Sequence, residues 1–239
     1  MPWDFCLIFL ALAVFVPWRG RIRLREFLAI PQVGSRERIS LYLSTIAFQW
    51  LAVAITAWRA SARGLTGAQM ALVVNARASI YVAAIVGAAI LASLQWLNLR
   101  RLGKMTVPVR GFQQKLIERI LPRSRRELIP YLALAITAGF CEEFLYRGFA
   151  MAAIGRTGLP TWLVVLTSSA LFGLAHLYQG RGGLIGTLLI GLIFGTARVV
   201  YGSLVPVILW HAAVDAVAGI AGPRYLKPSR NPTQSVERT

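Results

Sequence analysis

The stretch that decides the fold is residues 138–148, which read Ala138-Gly139-Phe140-Cys141-Glu142-Glu143-Phe144-Leu145-Tyr146-Arg147-Gly148. Three charged residues, Glu142, Glu143 and Arg147, stand within six positions of a run that is otherwise as apolar as a bilayer core. A charge at the centre of a membrane span costs at least about 2.5 to 3.5 kcal/mol on insertion scales. The stretch therefore predicts a functional site inside a membrane-spanning helix.

The composition of the whole chain supports a membrane protein. Its 239 residues are 56% hydrophobic and 15% charged, with a mean hydropathy of +0.60, whereas soluble domains carry about 25% charged residues. We predict an all-α, polytopic transmembrane helical bundle of about seven spans, with six to eight compatible with the pattern. The expected spans are 3–18, 41–58, 78–97, a fourth from 128 to the break near Gly155, 161–178, 184–201 and 204–221.

The chain divides into three parts by hydropathy. Residues 1–127 hold the first three spans and the longest basic loops, and residues 128–221 hold the other four spans. Within the first part, residues 112–121 have the apolar spacing of an amphipathic helix on an anionic membrane face, although a solvated linker fits the same residues. Residues 222–239 form a basic tail that we expect to be mobile.

The basic residues that separate the apolar runs predict the orientation. With seven spans, 20 Lys and Arg residues fall in the loops of one side and 4 in those of the other. Because cytoplasmic loops are enriched in Lys and Arg, we expect the N-terminus outside, the C-terminus in the cytoplasm, and a bacterial or archaeal cell membrane. This placement explains the net charge of +17 better than nucleic-acid binding does. The expected partners are the lipid bilayer and a peptide or membrane-protein substrate.

The polar residues inside the predicted spans lie in the C-terminal half. Both histidines of the chain and three of its nine acidic residues are embedded there, namely His176, His211, Glu142, Glu143 and Asp215. Spans one to three are expected to contribute no charged group to the interior. The site is therefore predicted to form between spans four, five and seven.

Helical geometry assigns partners to these groups. Glu143 and Arg147 are four residues apart, so they share a helix face and can pair. Glu142 is rotated by about 100° from that face and is left without this cation, free to take a proton from water. His211 and Asp215 are also four apart, and a carboxylate that binds an imidazole fixes its tautomer.

This set of groups suits activation of a water molecule for hydrolysis, or binding of a divalent metal. Structural explanations exist for each part separately. The Glu143–Arg147 pair could only pin a helix, His176 could be a core histidine, and the His211–Asp215 pair could serve helix packing. Their joint presence in a bundle that otherwise excludes such groups favours a functional site.

Three motifs together resemble the CPBP family of CAAX-processing and Abi-type intramembrane proteases. They are Glu142-Glu143-x-x-x-Arg147, Phe172-x-x-x-His176 and His211-x-x-x-Asp215. The resemblance covers residues 128–221, which it marks as the catalytic core. It implies an intramembrane endopeptidase of the kind that removes the last three residues of prenylated CAAX proteins.

The resemblance also implies roles for the site residues. Glu142 and His176 would activate the attacking water, His211 and the residue four beyond would stabilise the oxyanion, and Arg147 would hold Glu143. The family often has Asn where this chain has Asp215, and an ionised Asp cannot donate to an oxyanion. Asp215 would then orient His211 or act in its protonated form. The resemblance leaves the cofactor open between none and a divalent metal such as zinc.

Two other functions fit the same residues. Embedded Glu, His and Asp also build the proton relays of coupled transporters, and a non-catalytic homologue could bind a partner or confer immunity. A geometric difficulty also follows from the predicted spans. Glu142 would lie about 21 Å from the start of span four and His176 about 23 Å from the opposite start of span five. In a core of about 30 Å, only tilted, long or broken helices bring them together.

Overall fold

The computed structural model describes residues 1–73, 77–105 and 119–226, which fold into a bundle of helices without strands. We number the helices α1 (Trp3–Ala29), α2 (Ser35–Ala62), α3 (Ala78–Lys104), α4 (Arg125–Gly155), α5 (Thr161–Ala175), α6 (Leu177–Tyr201) and α7 (Val205–Tyr225). All except α5 are long and apolar enough to cross a membrane. The predicted all-α, multi-pass transmembrane bundle is thus confirmed, with six full-length candidate spans and one shorter apolar helix.

The helices extend beyond the apolar runs that predicted them. Helix α1 was expected to end at residue 18, yet it continues through its arginines to Ala29, because Arg is a good helix former. Within the helices that the structure describes, two stretches are π-helical, Ala11–Phe15 and Phe144–Ala150. Most of the predicted amphipathic helix, residues 112–118, and the tail from residue 227 lie outside the described residues.

Helices α2 and α4 run side by side in the same direction. At one end, the Arg38 Nε donates to Glu127 Oε2 at 2.7 Å, and both side chains are buried. Further along the pair, the rings of Tyr42 and Tyr131 meet edge to face at 5.4 Å. Trp50 then stacks on Phe140, also at 5.4 Å. These contacts fix the register of α2 against the helix that carries the quoted stretch.

The opposite end of the bundle holds a second ion cluster. Asp4 in α1 is buried and accepts from Arg59 at 2.5 Å and from Arg63 at 3.0 Å. The expectation that the first three spans bury no charged group is therefore wrong. Asp4 and Arg38 sit near helix ends, where a partner from a neighbouring segment compensates the cost of burial.

The lengths of α4 and α5 remove the geometric difficulty. Helix α4 has 31 residues, or about 46 Å at 1.5 Å per residue, so it exceeds the thickness of the bilayer core. Counted from the connection between α4 and α5, Glu142 lies about 20 Å back along α4 and His176 about 22 Å forward along α5. The short helix α5 ends at Ala175, and His176 follows it directly. The side chains of Glu142 and His176 therefore lie at the same depth in the bundle.

Glycines allow the close helix contacts around this level. A Cβ on Gly139 would lie 2.9 Å from the Ala212 Cβ and 3.0 Å from the Ile208 carbonyl, so α4 and α7 touch there. On α6, a Cβ on Gly191 would lie 3.0 Å from the Ser169 Cβ. Gly191 therefore allows α6 to approach α5 closely at this level.

Candidate active site

The two glutamates of α4 occupy different environments. Glu143 and Arg147 have fully buried side chains, and the Arg147 Nη1 donates to Glu143 Oε1 at 3.0 Å. Arg147 lies in the π-helical stretch that begins immediately after Glu143. Its guanidinium packs over the ring of Phe172 at 4.2 Å from the centroid. The predicted Glu143–Arg147 pair is present, and it is closed off from solvent.

His211 is held by Glu143 rather than by Asp215. The His211 Nδ1 lies 2.8 Å from Glu143 Oε1 and donates to it, since an ionised carboxylate only accepts. The pairing of His211 with Asp215 expected from their spacing is therefore not the one that fixes its tautomer. The contact of Gly139 with Ala212 explains the difference, because it brings α7 against α4 beside Glu143.

Asp215 lies at the rim of the site. Its Oδ2 is 3.6 Å from the Nε2 of His211, beyond hydrogen-bond distance. Its side chain is 39% exposed, compared with 12% for His211. The backbone carbonyl of Asp215 accepts from the Tyr131 hydroxyl at 3.3 Å. Asp215 lies near His211, but it does not bind the Nδ1 of this histidine.

His176 reaches the site from the end of α5. Its Nδ1 lies 2.9 Å from the carbonyl oxygen of Phe172, which can only accept, so this nitrogen carries the proton. The Phe172 ring packs edge to face against the His176 imidazole at 4.6 Å and lies 6.1 Å from that of His211. The motif Phe172-x-x-x-His176 thus uses both the carbonyl and the ring of its phenylalanine.

Glu142 is the point at which the histidines converge. Its Oε2 lies 3.8 Å from the Nε2 of His176 and 4.0 Å from the Nε2 of His211. These distances are longer than a direct hydrogen bond, and a water between the groups can connect them. Among the described residues nothing hydrogen-bonds to this oxygen, although it is buried. The arrangement can hold a water beside one free carboxylate oxygen and two imidazole nitrogens.

The other oxygen of Glu142 contacts a residue that the sequence analysis missed. The Gln49 Nε2 in α2 donates to Glu142 Oε1 at 2.8 Å. Gln49 is uncharged, so it did not stand out in the sequence beside the charged residues and histidines of the spans. A signal was available, since Gln49 carries an amide within a predicted span, where such a group is costly without a partner.

The same groups decide whether the site can hold a metal ion. Across residues 1–73, 77–105 and 119–226, no three His, Cys, Asp or Glu side chains are arranged to hold one. The two histidines bind Phe172 and Glu143 through Nδ1, and their Nε2 atoms flank Glu142 Oε2 at water-bridging distances. Histidines that ligate zinc through Nε2 also donate from Nδ1 to a carbonyl or a carboxylate, so the orientation of these two rings is compatible with a bridging water and with a metal held by His176, His211 and Glu142.

Comparison with known protein families supports the resemblance. Residues 124–217 match the family described as type II CAAX prenyl endopeptidase Rce1-like. The resemblance to CAAX-processing proteases is confirmed over this segment, which includes Glu142, His176 and His211. Gln49 lies outside the part matched to the Rce1-like family. No curated protein and no solved structure matched the chain significantly.

Proposed function

We propose that the protein is an intramembrane endopeptidase that hydrolyses a peptide bond of a CAAX-like or other membrane-associated substrate with a water activated by Glu142. The match to the Rce1-like family supports a CAAX-type endopeptidase at the level of the family. The observation that carries the mechanism is the position of Glu142 Oε2, which faces the Nε2 atoms of both histidines at 3.8 and 4.0 Å.

In the first step Glu142 acts as the general base. A water bridging Glu142 Oε2 and the His176 Nε2 gives its proton to the carboxylate, and its oxygen forms a bond to the substrate carbonyl carbon. His176 accepts from the water through Nε2, because its Nδ1 carries the proton donated to Phe172. The carbonyl π electrons move to the oxygen, which becomes the oxyanion.

His211 is placed to stabilise that oxyanion. Its Nε2 faces the same space, and it donates when both ring nitrogens carry protons. The Glu143 carboxylate against Nδ1 compensates the resulting positive charge, and Arg147 fixes Glu143 in turn. The oxyanion then re-forms the C=O bond, the C–N bond breaks, and the proton held by Glu142 passes to the leaving amine nitrogen.

The basic residues at one end of the bundle support an orientation of the protein in the membrane. The basic segments 19–40 and 119–127 meet at one end, where Arg119 donates to the carbonyls of Leu28 and Ile30. The rule that cytoplasmic segments are rich in Lys and Arg supports placing this end in the cytoplasm. A substrate would then reach Glu142 from within the bilayer or from this end.

Comparative proteomics tests the proposed function even though the substrate is not identified. Membrane peptides are compared between cells that carry the wild-type protein and cells that carry Glu142→Ala at equal abundance. We expect C-terminally truncated peptides with the wild type alone, and their sequences would identify the substrate. Identical peptide sets, together with proton flux in proteoliposomes of the purified protein, would contradict the proposal and favour a transporter.

A further inference from the structure

The contact between Gln49 and Glu142 joins the two halves of the chain at the centre of the site. Gln49 belongs to α2, whereas the other site residues belong to α4, to α7 and to the end of α5. Its Nε2 donates to Glu142 Oε1 at 2.8 Å, a distance typical of a strong bond to a charged acceptor. This makes the first half of the chain part of a candidate site whose other residues lie in the segment matched to the Rce1-like family.

The register of α2 against α4 explains why Gln49 lies there. Two parallel helices keep a nearly constant residue offset along their contact. The offset is 89 residues at the Arg38–Glu127 ion pair and 93 at the Gln49–Glu142 hydrogen bond. The Trp50–Phe140 stack lies between the same two helices at this level. Gln49 is therefore held opposite Glu142 by the packing of the two helices around it.

The hydrogen bond has a consequence for the free oxygen of Glu142. The terminal torsion of a glutamate is broad, so an unheld carboxylate rotates and exchanges its two oxygens. With Oε1 bound to Gln49, the carboxylate is fixed and Oε2 is the oxygen that faces His176 and His211. A base held in its reactive orientation before the substrate arrives needs less reorganisation in the transition state.

We propose that Gln49 is a positioning residue for hydrolysis, which orients the carboxylate of Glu142 toward the water that bridges it to His176. This rests on the proposed role of Glu142 as the base. It assigns part of the reaction to α2, outside the segment matched to the Rce1-like family. Gln49 itself forms no bond with the reacting atoms.

The kinetic test uses Gln49→Met, which keeps the length of the side chain and removes the donor. The purified full-length protein is assayed in lipid nanodiscs with a fluorogenic prenylated CAAX peptide as the probe. We expect kcat to fall about ten- to a hundred-fold, as for loss of a hydrogen bond to a charged group. KM is expected to stay within about twofold, because the lost contact is to the base and not to the substrate.

Two further variants separate positioning from general structure. Thr45→Val is the matched control, because the Thr45 hydroxyl lies on the same helix and donates to Leu41 of its own helix. It should leave kcat unchanged. Gln49→Glu is isosteric and lacks the donor when ionised, so it should lose as much activity as Gln49→Met. If Gln49→Met keeps kcat within about twofold of the wild type, the inference is overturned.

Infrared spectroscopy tests the inference independently of activity. The carboxyl band of Glu142 is identified as the band that disappears in Glu142→Gln. It should shift in Gln49→Met and stay in place in Thr45→Val. An unshifted band in Gln49→Met would overturn the positioning role. Failure of the wild type to cleave the probe, with the band shift present, would count against the proposed function alone.

Discussion

Glu127 at one end of the bundle and Glu142 and Glu143 at its centre are all largely shielded from solvent, but they differ in how their oxygens are hydrogen-bonded. At one end, Glu127 accepts from Arg38, from the Ser35 hydroxyl and from the backbone N–H of Arg123. At the centre, Glu142 Oε2 and Glu143 Oε2 have no hydrogen-bond partner in the described part of the chain. The same residue type is fully bonded in one place and partly unbonded in the other.

A carboxylate whose oxygens are all hydrogen-bonded contributes to stability, whereas a carboxylate with a free oxygen is available for chemistry. A buried carboxylate surrounded by donors holds helices together, and removing it leaves its partners unpaired. An unpaired oxygen between two imidazoles costs stability, and such a cost is typical of a site that binds a reacting molecule. The ends should therefore respond to substitution mainly in stability, and the centre mainly in rate.

The largest effect on rate among the histidines is expected for His176→Leu. Without the Nε2 that faces Glu142 Oε2 at 3.8 Å, the attacking water loses one of its two anchors. We expect kcat to fall by about a hundred- to ten-thousand-fold, with little change in the midpoint of thermal unfolding. Cleavage of the prenylated CAAX probe measures the rate.

The matched control for His176→Leu is Thr187→Val, since the Thr187 hydroxyl donates to Gly183 within its own helix. The control should cleave at the wild-type rate. Activity of His176→Leu equal to that of Thr187→Val would mean that His176 is a core histidine. It would contradict the claim that substitutions at the centre of the bundle act mainly on the rate.

A large effect on stability is expected at the end of the bundle. Glu127→Gln removes the charge that Arg38 faces in a buried pair, so the free energy of unfolding should fall by about 3 kcal/mol. The kcat of the protein that remains folded should match the wild type. The exposed Glu26 at the same end provides the control, because Glu26→Gln should change stability by less than about 0.5 kcal/mol. Equal stability of the two variants would contradict the structural role of the Arg38–Glu127 pair.

The smallest effect is expected for Asp215→Asn. Asp215 does not bind the Nδ1 of His211, which donates to Glu143 instead. Replacing its carboxylate by an amide of the same shape should keep kcat within about threefold of the wild type. Steady-state kinetics with the same probe decide this. A fall of about a hundred-fold or more would show that Asp215 takes part in the reaction after all.

The fold and much of the candidate site were predictable because polar residues are rare in membrane spans and are therefore easy to recognise in the sequence. Apolar runs located the spans, and six of them appear as helices of membrane length. The spacing of Glu143 and Arg147 predicted their ion pair, and the three motifs predicted which helices meet. These inferences depend on local periodicity, which the sequence carries directly.

The partners across helices were not predictable in the same way. The spacing of four residues predicted that His211 pairs with Asp215. In the structure, the close contact of α7 with Gly139 of α4 places His211 against Glu143 instead. Likewise, Gln49 meets Glu142 through the register of α2 against α4, which is fixed by Arg38 and Glu127 far along the chain. Such contacts depend on packing between helices, and no local spacing encodes them.

The most direct test of the account compares Glu142→Gln with Glu127→Gln in one experiment that measures probe cleavage and thermal unfolding. Gln at position 142 keeps the size of the side chain and an oxygen for Gln49, but it cannot take a proton from water. We predict that Glu142→Gln lowers kcat about a thousand-fold and unfolds at the wild-type temperature or above, whereas Glu127→Gln unfolds earlier and cleaves normally while folded. Normal cleavage by Glu142→Gln would contradict the account.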